Sequence, residues 1–445
     1  MFSRKPSPFI NTIDPDSNHP MAQPDRPPNA LLVSLRDPFL DSDRIMPPMG
    51  IMALHAYLMS RNIPSQIEND FNFNAIAQYR PYSHICISCM TPQKSEAYAI
   101  LQAVKHNLPN TAVVIGGPHA NFYLEECKTQ PFDHIVVGDG ELALEEILSG
   151  DAEKQKVVEH PITEQQMNTF PPPFRGKEFL NQYAFHFQGI RASTILTAKG
   201  CPMSCTFCED ARTRVRMYSP DYVGVQIKEI KEAGYQGIMF FDDVMTLSKK
   251  RVHDLTEEIA KHEIFFRCFG HARTMTGEIA DMLRKAGCIE TGVGMETGSQ
   301  RILDAVQKKT TVEQNRQYVL TCNARGIRVK AFFILGLPGE NAESIAETER
   351  FLHFLMEQKI TAYDGKTIRN DFDMTIFFPY SGTEIRRRMD AGDAGVDLML
   401  TQNPDLKKGF YKGVQGSSEI VVQTRGMSAE ALSATQKRLL STYKA

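Results

Sequence analysis

Between residues 30 and 137, short and continuously apolar runs alternate with segments of helical period. Ala30–Ser34, Ser65–Asn69, His84–Cys89, Thr111–Gly116 and His134–Val137 read as strands. Met49–Arg61, Lys94–His106 and Glu141–Leu148 read as the helices between them. Strands that are apolar throughout, each followed by a helix, predict a parallel sheet covered on both faces. A proline-rich break, Phe170-Pro-Pro-Pro-Phe174, precedes a second run of the same kind. Its predicted strands are Arg191–Leu196, Gly237–Phe241, Phe265–Gly270, Glu290–Gly294, Val329–Ile334 and Met374–Phe378. A closed eight-unit barrel takes about 250 residues, so six β/α units between residues 191 and 385 predict an open, partial TIM barrel.

The expected organisation is α/β throughout. A flexible, proline-rich tail covers residues 1–28, a doubly wound Rossmann-like domain 29–165, and a linker 166–190. The partial barrel takes 191–385, and a small C-terminal α+β region takes 386–445. In that last region a strand is predicted at Glu419–Gln423 and a helix from Ser428, whose Ser-Ala-Glu-Ala start resembles an N-cap.

Composition narrows the class. Of 445 residues, 42% are hydrophobic and 23% charged, the balance of a globular chain. The formal charge of −3 gives no general grip on nucleic acid or anionic lipid. No apolar run approaches the roughly 18 residues of a membrane helix, and the N-terminus has no apolar signal core. Nine cysteines, an odd number spread over a long chain, do not form a disulfide framework. The expectation is a soluble cytoplasmic protein with reduced thiols.

The sharpest chemical signal is Cys201-Pro-Met-Ser-Cys205-Thr-Phe207-Cys208, just after the first barrel strand. Three thiolates can hold three irons of a 4Fe–4S cube and leave the fourth without a protein ligand. Zinc is the competing reading, but a structural zinc site takes four protein ligands and no second cysteine pair lies nearby. Cys268, Cys288 and Cys322 lack paired spacing and read as core, as do Cys86, Cys89 and Cys127.

C-x₃-C-x₂-C with an aromatic before the last cysteine resembles the radical S-adenosylmethionine (SAM) family. The resemblance extends in order along the barrel. Gly237-Ile-Met-Phe-Phe-Asp242-Asp243 is similar to the strand beside the cofactor's methionine portion. Gly292-Val-Gly-Met-Glu296-Thr-Gly-Ser299 is similar to the ribose-binding strand, and Phe333-Ile-Leu-Gly336-Leu-Pro-Gly339-Glu340 to the adenine-contacting one. Met374-Thr-Ile-Phe-Phe-Pro379 is similar to the closing strand. These groups fall at or beyond strand C-termini, where parallel barrels carry their sites. The resemblance implies Cys201, Cys205 and Cys208 as catalytic cluster ligands, with Phe207, Asp242, Glu296, Ser299 and Gly336 around S-adenosylmethionine. Arg216, in the basic run after the cluster loop, is the candidate for the cofactor's carboxylate.

Met46-Pro-Pro-Met-Gly50, Cys86-Ile-Ser-Cys89, Gly116-Gly117-Pro-His119 and Gly138-Asp-Gly140-Glu141 resemble the cobalamin-binding domain that precedes many such barrels. The glycines, His119 and Glu141 are the implied corrin contacts, at the carboxyl ends of strands where open α/β sheets bind ligands. The Asp-x-His-x-x-Gly segment that brings a histidine to cobalt in other cobalamin proteins is absent.

Together the resemblances imply a cobalamin-dependent enzyme with a 4Fe–4S cluster. One electron from the cluster, supplied by an external donor such as flavodoxin or ferredoxin, cleaves S-adenosylmethionine to a 5′-deoxyadenosyl radical. That radical activates a small-molecule substrate. The expected outcome is methylation of an unactivated carbon. Rearrangement, cyclisation, oxidation or aminocarboxypropyl transfer are the alternatives, and a non-catalytic cobalamin or iron–sulfur sensor is a remoter one.

Overall fold

The computed structural model describes residues 29–36, 42, 44–152, 156–393, 395–401 and 420–444, so the expected tail over 1–28 lies outside the described residues. The chain divides into two compact units, Met1–Arg36 with Ala53–Pro161, and Asp37–Met52 with Ile162–Ala445.

The first unit is a six-stranded, wholly parallel sheet. Its strands are β1 (Ala30–Ser34), β2 (Ser65–Glu68), β3 (His84–Ser88), β4 (Ala112–Gly116), β5 (His134–Val137) and β6 (Val157–Glu159), in the order β2-β1-β3-β4-β5-β6. The predicted helices form as α1 (Met49–Ser60), α2 (Lys94–Asn107) and α3 (Glu141–Ser149). β6 has only three residues, too few for a periodic signal, and the sequence reading passes over it. Val33, Ile85, Ile87, Val113, Ile115 and Ile135 pack with Ile100, Leu101 and Val104 of α2 into a dry core. The reversal of strand order between β1 and β3 opens a crevice at the carboxyl edge.

The second unit starts with an antiparallel hairpin, β7 (Phe185–Phe187) and β8 (Ile190–Ile195). Four further strands follow in parallel, β9 (Gly237–Phe240), β10 (Phe265–Gly270), β11 (Cys288–Glu296) and β12 (Arg328–Leu335), and β13 (Asp371–Ile376) completes the sheet. The order β13-β12-β11-β10-β9-β8-β7 leaves both edges unjoined, which is the open half-barrel the six-unit pattern predicts. The helices between are α4 (Pro220–Glu232), α5 (Lys249–Ala260), α6 (Gly277–Lys285), α7 (Gln300–Ala305), α8 (Val312–Asn323) and α9 (Ala342–Glu357). α10 (Ala429–Tyr443) starts where Ser428 accepts the Ala431 N–H at 3.2 Å, as the capping signal predicts. The strand expected at Glu419–Gln423 shortens to Val422–Gln423, with Glu419 outside the described residues.

Strand alternation divides the two faces of this sheet. In β12 every second residue is buried: Val329, Ala331, Phe333 and Leu335 are fully covered, and Phe333 meets Phe351 of α9 edge-on. Cys268, Cys288 and Cys322 are fully buried too, and the Thr291 hydroxyl donates to Cys322 on α8 at 3.7 Å, so these thiols fill the core as expected.

The opposite face carries charge near the strand starts. Arg267 pairs with Glu290 at 3.2 Å, Glu290 with Arg328 at 2.8 Å, and Lys330 bridges Asp371 at 2.6 Å and Asp373 at 3.0 Å. Above this floor Phe269 packs against Phe241 and Phe332 with centroids 5.8 and 5.9 Å away. Gly292 has no room for a side chain there, since a Cβ would lie 2.6 Å from the Phe269 ring.

Glu290 is 1% exposed and holds two guanidinium groups. Glu290→Gln should therefore destabilise the protein by about 3 kcal/mol or more, because two partly buried cations lose their counter-charge. Lys366→Ala, which removes an exposed pair with Asp364, should leave the urea midpoint near wild type. Equal midpoints for the two variants would show that the floor carries no such load.

Candidate active site

The cysteine loop leaves the end of β8 and is pinned before it reaches the thiols. Asp242, at the end of β9 and 2% exposed, accepts the Thr197 N–H at 2.5 Å, the Ala198 N–H at 3.1 Å and the Thr197 hydroxyl. Burial pushes its carboxyl pKa up, and these bonds with the nearby Arg251 charge pull it back. Its oxygens are engaged by the loop, so this acid positions the loop from beneath. Gly200 then turns the chain at φ +94°, and any Cβ there would run into the Arg214 carbonyl oxygen. The loop folds back on itself through Cys201 N–H to Thr213 Oγ1 at 2.8 Å, Thr213 N–H to the Cys201 carbonyl at 3.0 Å, and Arg212 N–H to the Met203 carbonyl at 2.8 Å. Thr206 N–H donates to the Val306 carbonyl at 3.0 Å, which ties the loop to the end of α7.

Cys201 and Cys205 are nearly buried and Cys208 is half-buried. Burial raises all three thiol pKa values, Cys208 to about 12, while the Lys308 charge lowers Cys201 and Cys205. Cys208 feels both other thiols, so the three share one neighbourhood. Three thiols on one short loop can each hold a separate iron of a cube, so the donor set fits a 4Fe–4S cluster.

Glu296 ends β11 in the left-handed region, at φ +62°, where the register with β12 slips between Gly294 and Glu296. The slip turns its carboxylate onto Lys308 Nζ at 2.6 Å, and both side chains are less than one-tenth exposed. Burial works against the Lys308 charge, but Glu296 and the Cys205 and Cys208 thiols outweigh it and raise its pKa. Gly294 lies beneath this pair, where a Cβ would stand 2.9 Å from Nζ. Ser299 is 1% exposed and its hydroxyl has no partner among the described residues, so it is free to meet a ligand. Lys308 is absent from the sequence-based candidates. Its partner lies twelve positions earlier, across a bulge, and the Lys308-Lys309 pair reads as surface.

Phe207 packs against the apolar cluster of Ile302, Leu337, Phe377 and Phe378. Gly336 has φ +80°, and its missing side chain makes room for Leu432 of α10, 3.1 Å from where a Cβ would be. Its N–H donates to Glu340 Oε2, while Oε1 is buried without a partner. Burial pushes the Glu340 carboxyl up to about 8. Arg216 donates to the Ile162 carbonyl at 2.7 Å, so part of its guanidinium is committed to the chain itself.

In the first unit, Gly116 and Gly117 end β4, and Gly117 at φ +90° lets the turn approach the Cys89 backbone, 3.0 Å from an imagined Cβ. His119 is fully buried and its Nε2 lies 3.0 Å from the Tyr98 hydroxyl. Burial pushes its pKa down to about 4. It faces α2 and not the open edge. Gly138, at φ +80°, has nothing within 4 Å of a Cβ position, and Asn121 Oδ1 accepts its N–H at 2.9 Å. Gly140 caps α3 against Leu54, and Glu141 opens that helix 7% exposed. The open space at Gly138 leaves room for a corrin approached by backbone.

Two consequences are measurable. Gly200→Ala should lower iron bound per chain after anaerobic reconstitution while far-UV circular dichroism is kept, because the added methyl displaces the turn that presents Cys201. Unchanged iron content would mean the loop tolerates the strain. For Glu340 the folded pKa of about 8 exceeds the usual 4.5, so the folded state holds its proton longer than the unfolded one. Its contribution to stability is complete below pH 4.5 and is lost as pH rises toward 8. Urea unfolding of Glu340→Gln against wild type at pH 5 and pH 8 should show the variant gaining at the higher pH; a constant difference would contradict this.

Comparison with known proteins agrees with both halves of the geometry. Residues 195–352 match the Radical SAM superfamily, and residues 39–148 match the B12 binding domain. An uncharacterized methyltransferase of Pyrococcus horikoshii is 26% identical over 389 residues, covering 80% of each chain. The anaerobic magnesium-protoporphyrin IX monomethyl ester cyclase of Rubrivivax gelatinosus is 27% identical over 343 residues, covering 68% of this chain and 61% of that one. In fold, the chain is similar to the cobalamin-dependent S-adenosylmethionine radical enzyme OxsB, with a TM-score of 0.71 and 18% identity, over 85% of this chain and 63% of the other. The chain is thus a radical SAM enzyme carrying an N-terminal B12-binding domain, a pairing that implies a 4Fe–4S cluster, S-adenosylmethionine and cobalamin as its cofactors.

Proposed function

We propose that this enzyme methylates an unactivated carbon of a small-molecule substrate. The observation that carries the reading is the pairing, in one chain, of a barrel for radical generation with a domain for a methyl carrier. When bound, the cluster supplies the electron that cleaves S-adenosylmethionine, and cobalamin supplies the methyl group. Cys201, Cys205 and Cys208 hold three irons. Asp242 keeps the loop in place through Thr197 and Ala198. Glu296 and Ser299 accept and donate at the ribose, with Lys308 holding the Glu296 carboxylate in its strained position. Phe207 closes the apolar side of the pocket, and Gly336 and Glu340 shape the turn beside the adenine. Arg216, in the basic run after the cysteine loop, is the cation for the cofactor's carboxylate.

In the first unit the open glycine turn at 138–140 receives cobalamin, with Glu141 at the helix start, and the turn at 116–117 packs on the Cys89 backbone beside it. His119 supports the turn from behind. A flavodoxin- or ferredoxin-type donor supplies the electron from outside. Among the described residues no helix is long and apolar enough to cross a membrane. The cyclase relative favours a second reading, radical ring formation without methyl transfer.

Anaerobically reconstituted protein should retain stoichiometric corrin with a base-off spectrum. It should also release 5′-deoxyadenosine, and Cys201→Ala, Cys205→Ala and Cys208→Ala should each abolish that release. With S-adenosylmethionine labelled in its methyl group and a fractionated small-molecule extract, the label should appear in product alongside S-adenosylhomocysteine. Conversion of a substrate without label in the product would favour cyclisation or rearrangement. Failure to retain corrin would remove the methyl carrier from the reading.

A further inference from the structure

His271 is the first residue beyond β10, the strand on which Arg267 and Phe269 share one face. It is 4% exposed, and its surroundings fix it on three sides. Its N–H donates to Thr246 Oγ1 at 3.2 Å, its carbonyl accepts the Thr274 hydroxyl at 3.0 Å, and its Nδ1 accepts the Arg273 N–H at 3.3 Å. Thr246 and Thr274 are themselves joined at 2.7 Å, so the turn is doubly tied. With Nδ1 used as an acceptor, the ring proton belongs on Nε2. That Nε2 is buried and has no partner among the described residues.

The neighbourhood tells what it awaits. Burial, with the Lys308 and Arg273 charges nearby, pushes the imidazole pKa down to about 3. The ring is therefore neutral under ordinary conditions, with one acceptor already satisfied and one donor idle. A buried donor without a partner costs roughly 1–3 kcal/mol, so a ligand acceptor is the economical explanation. Lys308 is the same ammonium that pairs with Glu296 and is felt by the cluster thiols. An idle N–H inside the field of a buried cation suits an oxygen acceptor, and an anionic one best.

We propose that His271 Nε2–H is a cofactor-binding group that donates to an oxygen acceptor of S-adenosylmethionine bound beside the Glu296–Lys308 pair. The role is that of a neutral donor, with no proton passed. The proposal rests on the barrel binding S-adenosylmethionine, and the experiment separates the two.

Full-length protein loaded with oxidised cluster, which cannot cleave the cofactor, is titrated with S-adenosylmethionine by anaerobic calorimetry. His271→Leu should weaken binding about 10-fold, the scale of one hydrogen bond to a charged acceptor. His271→Gln, whose amide can place an N–H near the Nε2 position, should recover most of that loss. Iron content and melting temperature are measured for each variant. If His271→Leu does not fold, His271→Asn, too short to reach, takes its place with the same expectation. Wild-type affinity in His271→Leu, or equal loss in the leucine and glutamine variants, overturns the donor role. Absence of binding by the wild type itself would instead overturn the cofactor reading of the barrel.

Discussion

An open parallel half-barrel has one face under its helices and one face uncovered, and that asymmetry governs the rest of the second unit. The helix side is filled by residues such as Phe333, Phe372, Cys268 and Val329, all fully buried. The uncovered side cannot be filled in the same way without closing the cavity. It is organised in levels instead. A floor of paired charge, Arg267, Glu290, Arg328, Lys330, Asp371 and Asp373, lies at the strand starts. An aromatic level of Phe241, Phe269 and Phe332 stands over it, with Gly292 leaving it room. Near the strand ends, His271 Nε2, Ser299 Oγ and Glu340 Oε1 are buried without a partner among the described residues. Charge near the starts stabilises, and idle donors and acceptors at the ends are available for chemistry.

Strain is concentrated in the same place. Glu296 is one of few non-glycine residues with positive φ, and it takes that conformation at a register slip in the sheet. Residues held in that region cost of order 1–3 kcal/mol and persist where their surroundings over-determine them. Here the surroundings are a buried ammonium at 2.6 Å and a Gly294 with no side chain to interfere. Breaking such a pair from one side leaves a buried charge uncompensated, so the two residues hold each other in place. The cysteine loop is set by comparable means. Asp242 binds its beginning, Gly200 turns it, and Thr206 ties it to the end of α7.

The first unit is built on a different economy. Its sheet is covered on both faces and offers no interior level. Chemistry there is confined to the turns at the carboxyl edge, which present backbone. Gly138, with open space around it, is suited to meeting a large flat ligand, whereas Gly117 is spent on packing against β3. His119 shows why a motif and a contact are separate matters. The residue sits in the expected turn, yet its ring is buried against Tyr98 and stacked on Tyr123.

Much of this was legible in order along the chain. Apolar runs located all eleven longer strands of the two main sheets to within a few residues, since burial on both faces of a sheet leaves a local signal, and the cysteine spacing singled out one loop because its three thiols are neighbours in sequence. The short strands Val157–Glu159 and Phe185–Phe187 lacked enough residues to show a period. The grouping of Asp37–Met52 with the second unit leaves no trace in composition. Lys308 and His271 were invisible for another reason: their meaning lies in partners distant in sequence, Glu296 across a bulge in one case and Thr246 from the preceding strand end in the other. Asp242 was recognised as a site residue, but only the fold shows its oxygens turned to Thr197 and Ala198. By itself, then, the sequence determined the two-domain α/β plan and the three thiols, because local spacing and periodicity encode both. Which charges pair, which acid is strained and which donor is left idle were decided by the tertiary structure, because each depends on what burial brings together from separate strands.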